Sequence, residues 1–262
     1  MKLPKGSFFC EENYLMNKRS CYQFVLILLC ALAPQTLLLA QSEKLDLYID
    51  SARFTDGDAI PYVFVPSSKL PPKYVLIVMP GGKGTIGLKK NEDGSPFYSG
   101  KGNFLIRTRG LFADDELAVI VIDRGRSLDR MRGVIADIKT KFPSAKIFIA
   151  GTSLSTTETI YMSDNMDGEV SGFIHTSSVG SIGGLDTRNR KSRNLIVTHK
   201  YDGCRVTPTN SSIENHERYG TELFLMEGGI DEGDPCQAAG HHGYRGIEQE
   251  VVNKIKAWIK RN

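Results

Sequence analysis

Short, almost purely apolar runs recur along this chain, separated by segments that are polar, glycine-rich or apolar at helical spacing. Tyr74–Met79, Leu117–Ile122 and Ile147–Ala150 are continuous apolar stretches, as expected of strands buried on both faces. Gly172–His175, Asn194–Thr198 and Glu222–Met226 read as further strands. Leu45–Ile49 and Ile60–Val65 flank Asp56-Gly57-Asp58 and read as an opening hairpin. Between the runs, the spacing predicts helices over Asn103–Asp114, Leu128–Lys141 and Thr156–Met166. A final amphipathic helix is expected over Arg245–Lys260, with Ile247, Val251, Val252, Ile255, Trp258 and Ile259 on one face. Strands that alternate with helices imply an α/β fold: a mostly parallel sheet of about eight strands, with helices on both faces.

The first forty residues read differently. Lys18-Arg19 precede an apolar run, Phe24 to Ala33, then Pro34 and a second apolar stretch that ends at Ala40. A basic start, an apolar middle and a small residue are the features of a secretory signal. Residues 1–40 are therefore expected to be a signal peptide, and 41–262 the folded domain. The rival, an uncleaved anchor, is disfavoured because Pro34 and Gln35 break a run already short for a membrane span. The expected compartment is periplasmic or extracellular (secreted). Cys10, Cys21 and Cys30 lie in the leader, which leaves Cys204 and Cys236 as an even pair. An even pair in an exported protein predicts a disulfide. The net charge is only +3, with 24% charged residues and no basic stripe, so no nucleic-acid partner is expected. Nothing in the residues points to an oligomeric state.

Candidate chemistry follows from position. Gly151-Thr-Ser-Leu-Ser155 sits directly after an apolar strand and before a helix. Small-x-Ser-x-small at that junction is a nucleophile elbow, although the pattern prefers Gly where Ser155 stands. A serine hydroxyl is a weak nucleophile near neutral pH and needs a base oriented by a carboxylate. Asp202 follows the strand Asn194–Thr198, and His241-His242 lie between the last strand and the last helix. Those places suit an acid and a base. A bridge from Cys204 to Cys236 would staple the acid loop to the base loop. Leu154, after the serine, and the Gly81-Gly82-Lys83 turn, after the first central strand, could supply amide donors to an oxyanion. Asn103, Arg107 and Arg109 either line the site or cap and solvate a helix. A metal-dependent reading on His241, His242 and Asp231 or Asp234 lacks a chelating spacing, so no metal is expected.

These segments resemble those of a known family. Met79-Pro-Gly-Gly82, Asn103 through Arg109, Gly151-Thr-Ser153, Asp202 through Pro208, and Cys236 through Tyr244 resemble the α/β-hydrolase superfamily. The resemblance is to small exported bacterial members and covers nearly the whole mature chain. It implies Ser153 as nucleophile, Asp202 as acid and His242, the histidine directly before Gly243, as base. Similar proteins often carry Arg-Gly where this chain has Leu154-Ser155. The implied activity is that of a serine hydrolase acting on a small ester-type substrate, with no cofactor and no membrane contact after signal cleavage. The alternative is a binding protein on the same fold with a silent triad. Fewer than twenty residues separate Thr176 from Asn194, where lipases often insert a lid, so no large lid is expected.

Overall fold

The chain does not lay its strands down in spatial order, and the one reversal positions the site. The computed structural model describes residues 48–53, 59–100, 102–125 and 127–261. The leader, its cleavage point after Ala40 and the turn Asp56-Gly57-Asp58 lie outside the described residues. The main strands are β1 (Tyr48–Arg53), β2 (Ala59–Val65), β3 (Tyr74–Met79), β4 (Leu117–Val121), β5 (Lys146–Thr152), β6 (Gly172–Thr176), β7 (Arg193–His199) and β8 (Glu222–Met226). Their order in the eight-stranded sheet is β1-β2-β4-β3-β5-β6-β7-β8. β1 and β2 form an antiparallel hairpin, β2 is antiparallel to β4, and the remaining strands are parallel. After β3 the chain steps outward to β4, then returns to β5 on the other side of β3. Such a reversal opens a crevice at the carboxyl ends of the strands, where ligands bind in open α/β sheets.

The central strands read as apolar runs because both faces are covered. Leu76 and Val78 of β3 join one core, while Val75, Ile77 and Met79 join the other. The first core is closed by α1 (Phe104–Arg107), α2 (Arg109–Phe112) and α6 (Glu248–Lys260). From α6 it receives Val251, Val252, Ile255, Trp258 and Ile259. The second core is closed by α3 (Leu128–Lys141) and α4 (Thr156–Asn165), through Met131, Val134, Ile135, Ile138 and Met162. Between β6 and β7 there is no inserted lid, only the single turn Gly180–Gly184 and short connections.

Some elements differ from expectation. The first strand runs past Ile49 to Arg53, because pairing with β2 from Tyr48↔Phe64 to Arg53↔Ala59 carries its polar residues along. The helix expected over Asn103–Asp114 is two single turns. Thr108 divides them, and its hydroxyl bonds back to Phe104 O at 2.7 Å, a contact that bends helices. The last helix begins at Glu248 rather than Arg245, because Tyr244 and Gly246 take positive φ, 58° and 84°. A helix not foreseen, α5 (Thr209–Tyr219), buries only the polar Ser212 and Asn215, so it has no apolar stripe to read.

One buried group sets a pH dependence of stability. His175 is fully buried between α4 and the sheet. It lies 2.8 Å from Thr159 Oγ1 and 3.0 Å from Asn194 Oδ1. Burial pushes its pKa down to about 4. The unfolded chain takes up this proton near pH 6.5, and the folded chain refuses it until about pH 4. Stability is therefore lost as pH falls through that window, by up to about 3 kcal/mol from this group. Urea midpoints between pH 7 and 4.5 are expected to fall, and to fall less steeply in His175→Gln. Parallel slopes would remove His175 as the cause.

Candidate active site

Strand β5 runs through Thr152, and Ser153 follows it at once in the left-handed region, with φ +55°. A residue other than glycine is strained there, and such strain is found where surrounding structure over-determines a functional position. The surroundings are visible. A Cβ on Gly151 would lie 2.6 Å from Ser155 O, so only glycine allows the turn to close. Ser155 is fully buried with ordinary helical angles, so this position does not need glycine. Its hydroxyl accepts from Thr152 N at 2.7 Å and lies 3.0 Å from both Met79 O and Thr152 O. Ser155 thus ties the elbow to the end of β3. The departure from the sequence pattern becomes a fastening.

The acid and base candidates meet. His242 Nδ1 lies 2.9 Å from Asp202 Oδ2, and both side chains are almost wholly buried. Asp202 Oδ1 accepts from Cys204 N at 2.9 Å, and Thr207 Oγ1 donates to Asp202 Oδ2 at 3.1 Å. This carboxylate is held on both oxygens, and the Nδ1 contact leaves His242 Nε2 for other work. His241 points elsewhere. Its ring stacks on His199 at 4.1 Å between centroids, and its Nδ1 lies 3.3 Å from Tyr201 O. Burial also holds His199 below the usual histidine range. Cys204 and Cys236 are joined as a disulfide. Among the described residues, no group of three or more His, Cys, Asp or Glu side chains is arranged to hold a metal ion.

Ser153, Leu154 and His242 line one cavity of about 900 Å³, together with Gly81, Gly82, Asn103, Arg107, Cys204 and Cys236. Ser153 makes no hydrogen bond to His242 in this structure. Contacts of that kind are often long before substrate binds. Lys83 is exposed and does not line the cavity, whereas Gly81 and Gly82 do. The turn swings Lys83 outward while Gly81 packs against Ser153, 3.0 Å separating its would-be Cβ from the serine Cβ. Arg109 is buried elsewhere, over the Tyr98 ring at 5.2 Å. Arg107 faces the cavity but is engaged. It donates to Gly102 O at 2.7 Å, to Gly243 O and to Glu248 Oε1 at 3.1 Å. Burial lowers the Arg107 pKa. A second cavity of about 310 Å³, beside Asp123, Arg124 and Met131, contains none of the triad candidates.

Two supports of the candidate base escaped sequence reading. Tyr244 is fully buried, and its hydroxyl donates to Val197 O at 2.8 Å. It also accepts from Ser177 N and Ser177 Oγ, each at 2.9 Å. Ser177 Oγ in turn lies 2.8 Å from His242 O. Both Tyr244 and Ser177 sit at positive φ. A tyrosine two residues after a candidate base was the signal the chain carried. Burial pushes the Tyr244 hydroxyl pKa up, keeping it a neutral donor and acceptor. Removing that hydroxyl in Tyr244→Phe is expected to cost about 1–3 kcal/mol, because buried partners lose their bonds. Chemical denaturation checks this, and an unchanged midpoint would show that the network is dispensable.

Comparisons with known proteins locate the architecture. No family model matches the sequence. No curated protein matches it either. Solved structures do. An α/β serine hydrolase without a lid, from Xanthomonas campestris, is 13% identical with a TM-score of 0.52, covering 82% of this chain and 95% of that one. The esterase domain of a Rhodothermus marinus protein is 11% identical with a TM-score of 0.55, covering 81% and 97%. Dienelactone hydrolase from Anabaena variabilis is 10% identical with a TM-score of 0.53, covering 80% and 95%. At such identities the likeness is one of fold.

Proposed function

Starting from a chain that has the α/β-hydrolase fold, we propose that this protein is an exported serine hydrolase that cleaves small esters, with Ser153 as nucleophile, His242 as base and Asp202 as the orienting acid. The observation that carries the reading is the buried 2.9 Å contact between His242 Nδ1 and Asp202 Oδ2, on the cavity that Ser153 also lines. In the proposed cycle, His242 Nε2 takes the Ser153 hydroxyl proton as Oγ attacks the ester carbon. The carbonyl oxygen becomes an oxyanion facing the amides of Leu154 and the Gly81-Gly82 turn. Collapse expels the alcohol, which takes the proton from His242. Water, activated by the same histidine, then releases the acid from the acyl-enzyme. Asp202 holds the imidazole in the tautomer that leaves Nε2 free.

Export is part of the same proposal. It is supported by the leader pattern in residues 1–40 and by the Cys204–Cys236 disulfide, since disulfides persist in oxidising compartments. Among the described residues, no helix is long and apolar enough to cross a membrane. The absence of an inserted lid between β6 and β7 suits short or exposed acyl groups.

The rival reading, a binding protein with a silent triad, draws on the missing hydrogen bond between Ser153 and His242. A fluorophosphonate probe separates the two. It is expected to label the protein at Ser153, as mapped by peptide mass, and the protein is expected to hydrolyse p-nitrophenyl acetate. A folded protein that does neither would leave the binding reading in place.

A further inference from the structure

Asn103 stands at the N-cap of α1, a position where an asparagine oxygen usually accepts from the first turn of the helix. Here the side chain makes no cap bond. The main chain is fixed regardless: Asn103 N donates to Gly100 O and Asn103 O accepts from Arg107 N, each at 2.8 Å. The side chain has therefore been released from the role its position offers. Its Oδ1 is buried without a hydrogen-bond partner. A buried amide oxygen left without a donor is unfavourable for folding alone.

The location of that amide accounts for the arrangement. Asn103 lines the same cavity as Gly81, Gly82, Ser153 and Leu154. One point fixes the spacing: the position a Cβ would take on Gly81 lies 3.0 Å from Ser153 Cβ and 3.4 Å from Asn103 Nδ2. The amide nitrogen, the oxyanion turn and the nucleophile are thus gathered around a single point. Gly81 has no side chain to stand between them.

We propose that Asn103 is a further catalytic residue, a side-chain donor whose Nδ2–H bonds to the carbonyl oxygen of the ester as it becomes an oxyanion. The inference rests on the serine-hydrolase reading. As Ser153 Oγ bonds to the acyl carbon, the carbonyl π pair moves onto oxygen and the hydroxyl proton passes to His242. Asn103 transfers no proton. It supplies a neutral N–H aimed at the charge that forms, beside the backbone amides. The pair returns to re-form the carbonyl when the alkoxy C–O bond breaks. A donor held in place before reaction costs no reorganisation when the charge appears.

The test uses the full chain carrying Asn103→Ala and, separately, Asn103→Leu, which keeps the side-chain volume. Rates on p-nitrophenyl acetate are expressed per fluorophosphonate-titrated site, so that misfolded molecules are not counted. The expected result is a fall in kcat of about 10²-fold with little change in KM, the pattern of an interaction made only in the transition state. The affinity of a trifluoromethyl ketone, whose adduct with Ser153 carries an oxyanion, is expected to fall by a similar factor. A purely structural role would lower the thermal midpoint and leave kcat per site and ketone affinity unchanged, which would overturn the proposal. So would a rise in KM at constant kcat. A wild-type protein that neither labels nor turns over would instead sink the hydrolase reading beneath it.

Discussion

Replacing Ser153 with alanine is expected to lower hydrolysis of p-nitrophenyl acetate by at least about 10⁴-fold, with the protein still folded. The size follows from how the site divides its labour. On the proposed mechanism no acyl-enzyme forms without Oγ, and the His242–Asp202 pair has no hydroxyl to activate. What would survive is the binding and oxyanion contribution proposed for the Gly81-Gly82 turn and Leu154, which alone gives only a residual rate. Residues that act as one unit are non-additive, so His242→Ala should cost nearly as much. The double variant Ser153→Ala with His242→Ala should be no worse than either single change. Folding should be little disturbed, because Ser153 is only partly buried and its hydroxyl is not among the bonds that hold the elbow. Alanine must still adopt φ near +55°, as serine does. Steady-state rates on purified variants check the prediction, and equal rates in wild type and Ser153→Ala would remove this serine as nucleophile.

Removing the bridge in the double variant Cys204→Ser, Cys236→Ser is expected to cost about 3–4 kcal/mol of stability, the chain-entropy value for a loop of this length. The bridged residues are 32 positions apart in sequence. They tether the turn after β7 to the long connection after β8, a stretch whose residues from Gly228 to Ala239 contain no regular element and are mostly exposed. Little apolar burial holds that stretch, so a covalent tie contributes a larger share of its order than it would in the core. Activity should fall too. Cys204 N donates to Asp202 Oδ1, and Cys236 and His242 line the same cavity wall. Loosening the tie frees acid and base to drift apart, and small misplacements of catalytic groups are costly in rate. Urea denaturation with and without reductant, followed by assay of the still-folded reduced protein, measures both effects. Unchanged stability on reduction would mean that the loops are held by their hydrogen bonds alone.

Much of this could be read along the chain because it is written in local periodicity. The apolar runs of β3, β4 and β5 are legible because a strand covered on both faces has no polar positions. The stripe Val251, Val252, Ile255, Trp258, Ile259 is legible because one face of α6 is buried. Helix α5 lacked such a stripe, although Pro208 at its start and Gly220 at φ 72° after its end were boundary signals that could have been used. With Cys10, Cys21 and Cys30 assigned to the expected leader, Cys204 and Cys236 were the two left to pair.

Tertiary structure decided the rest, because contacts between distant segments leave no period in sequence. Which of His241 and His242 meets Asp202 depends on the turn at Tyr244, whose hydroxyl is anchored on Val197 and Ser177. Thr207 joins the acid only because its loop folds back on Asp202. Ser155 reads as a flaw in a pattern until Met79 O and Thr152 N are seen around its hydroxyl. Lys83 leaves the cavity to Gly81 and Gly82 because the turn after β3 aims its backbone, which the residue names do not reveal. The sequence by itself determined the kinds of element, their order and the chemical types brought to the strand ends. The three-dimensional packing determined which of those groups touch, since hydrogen bonds and close approaches act over a few ångströms of space, whatever the distance along the chain.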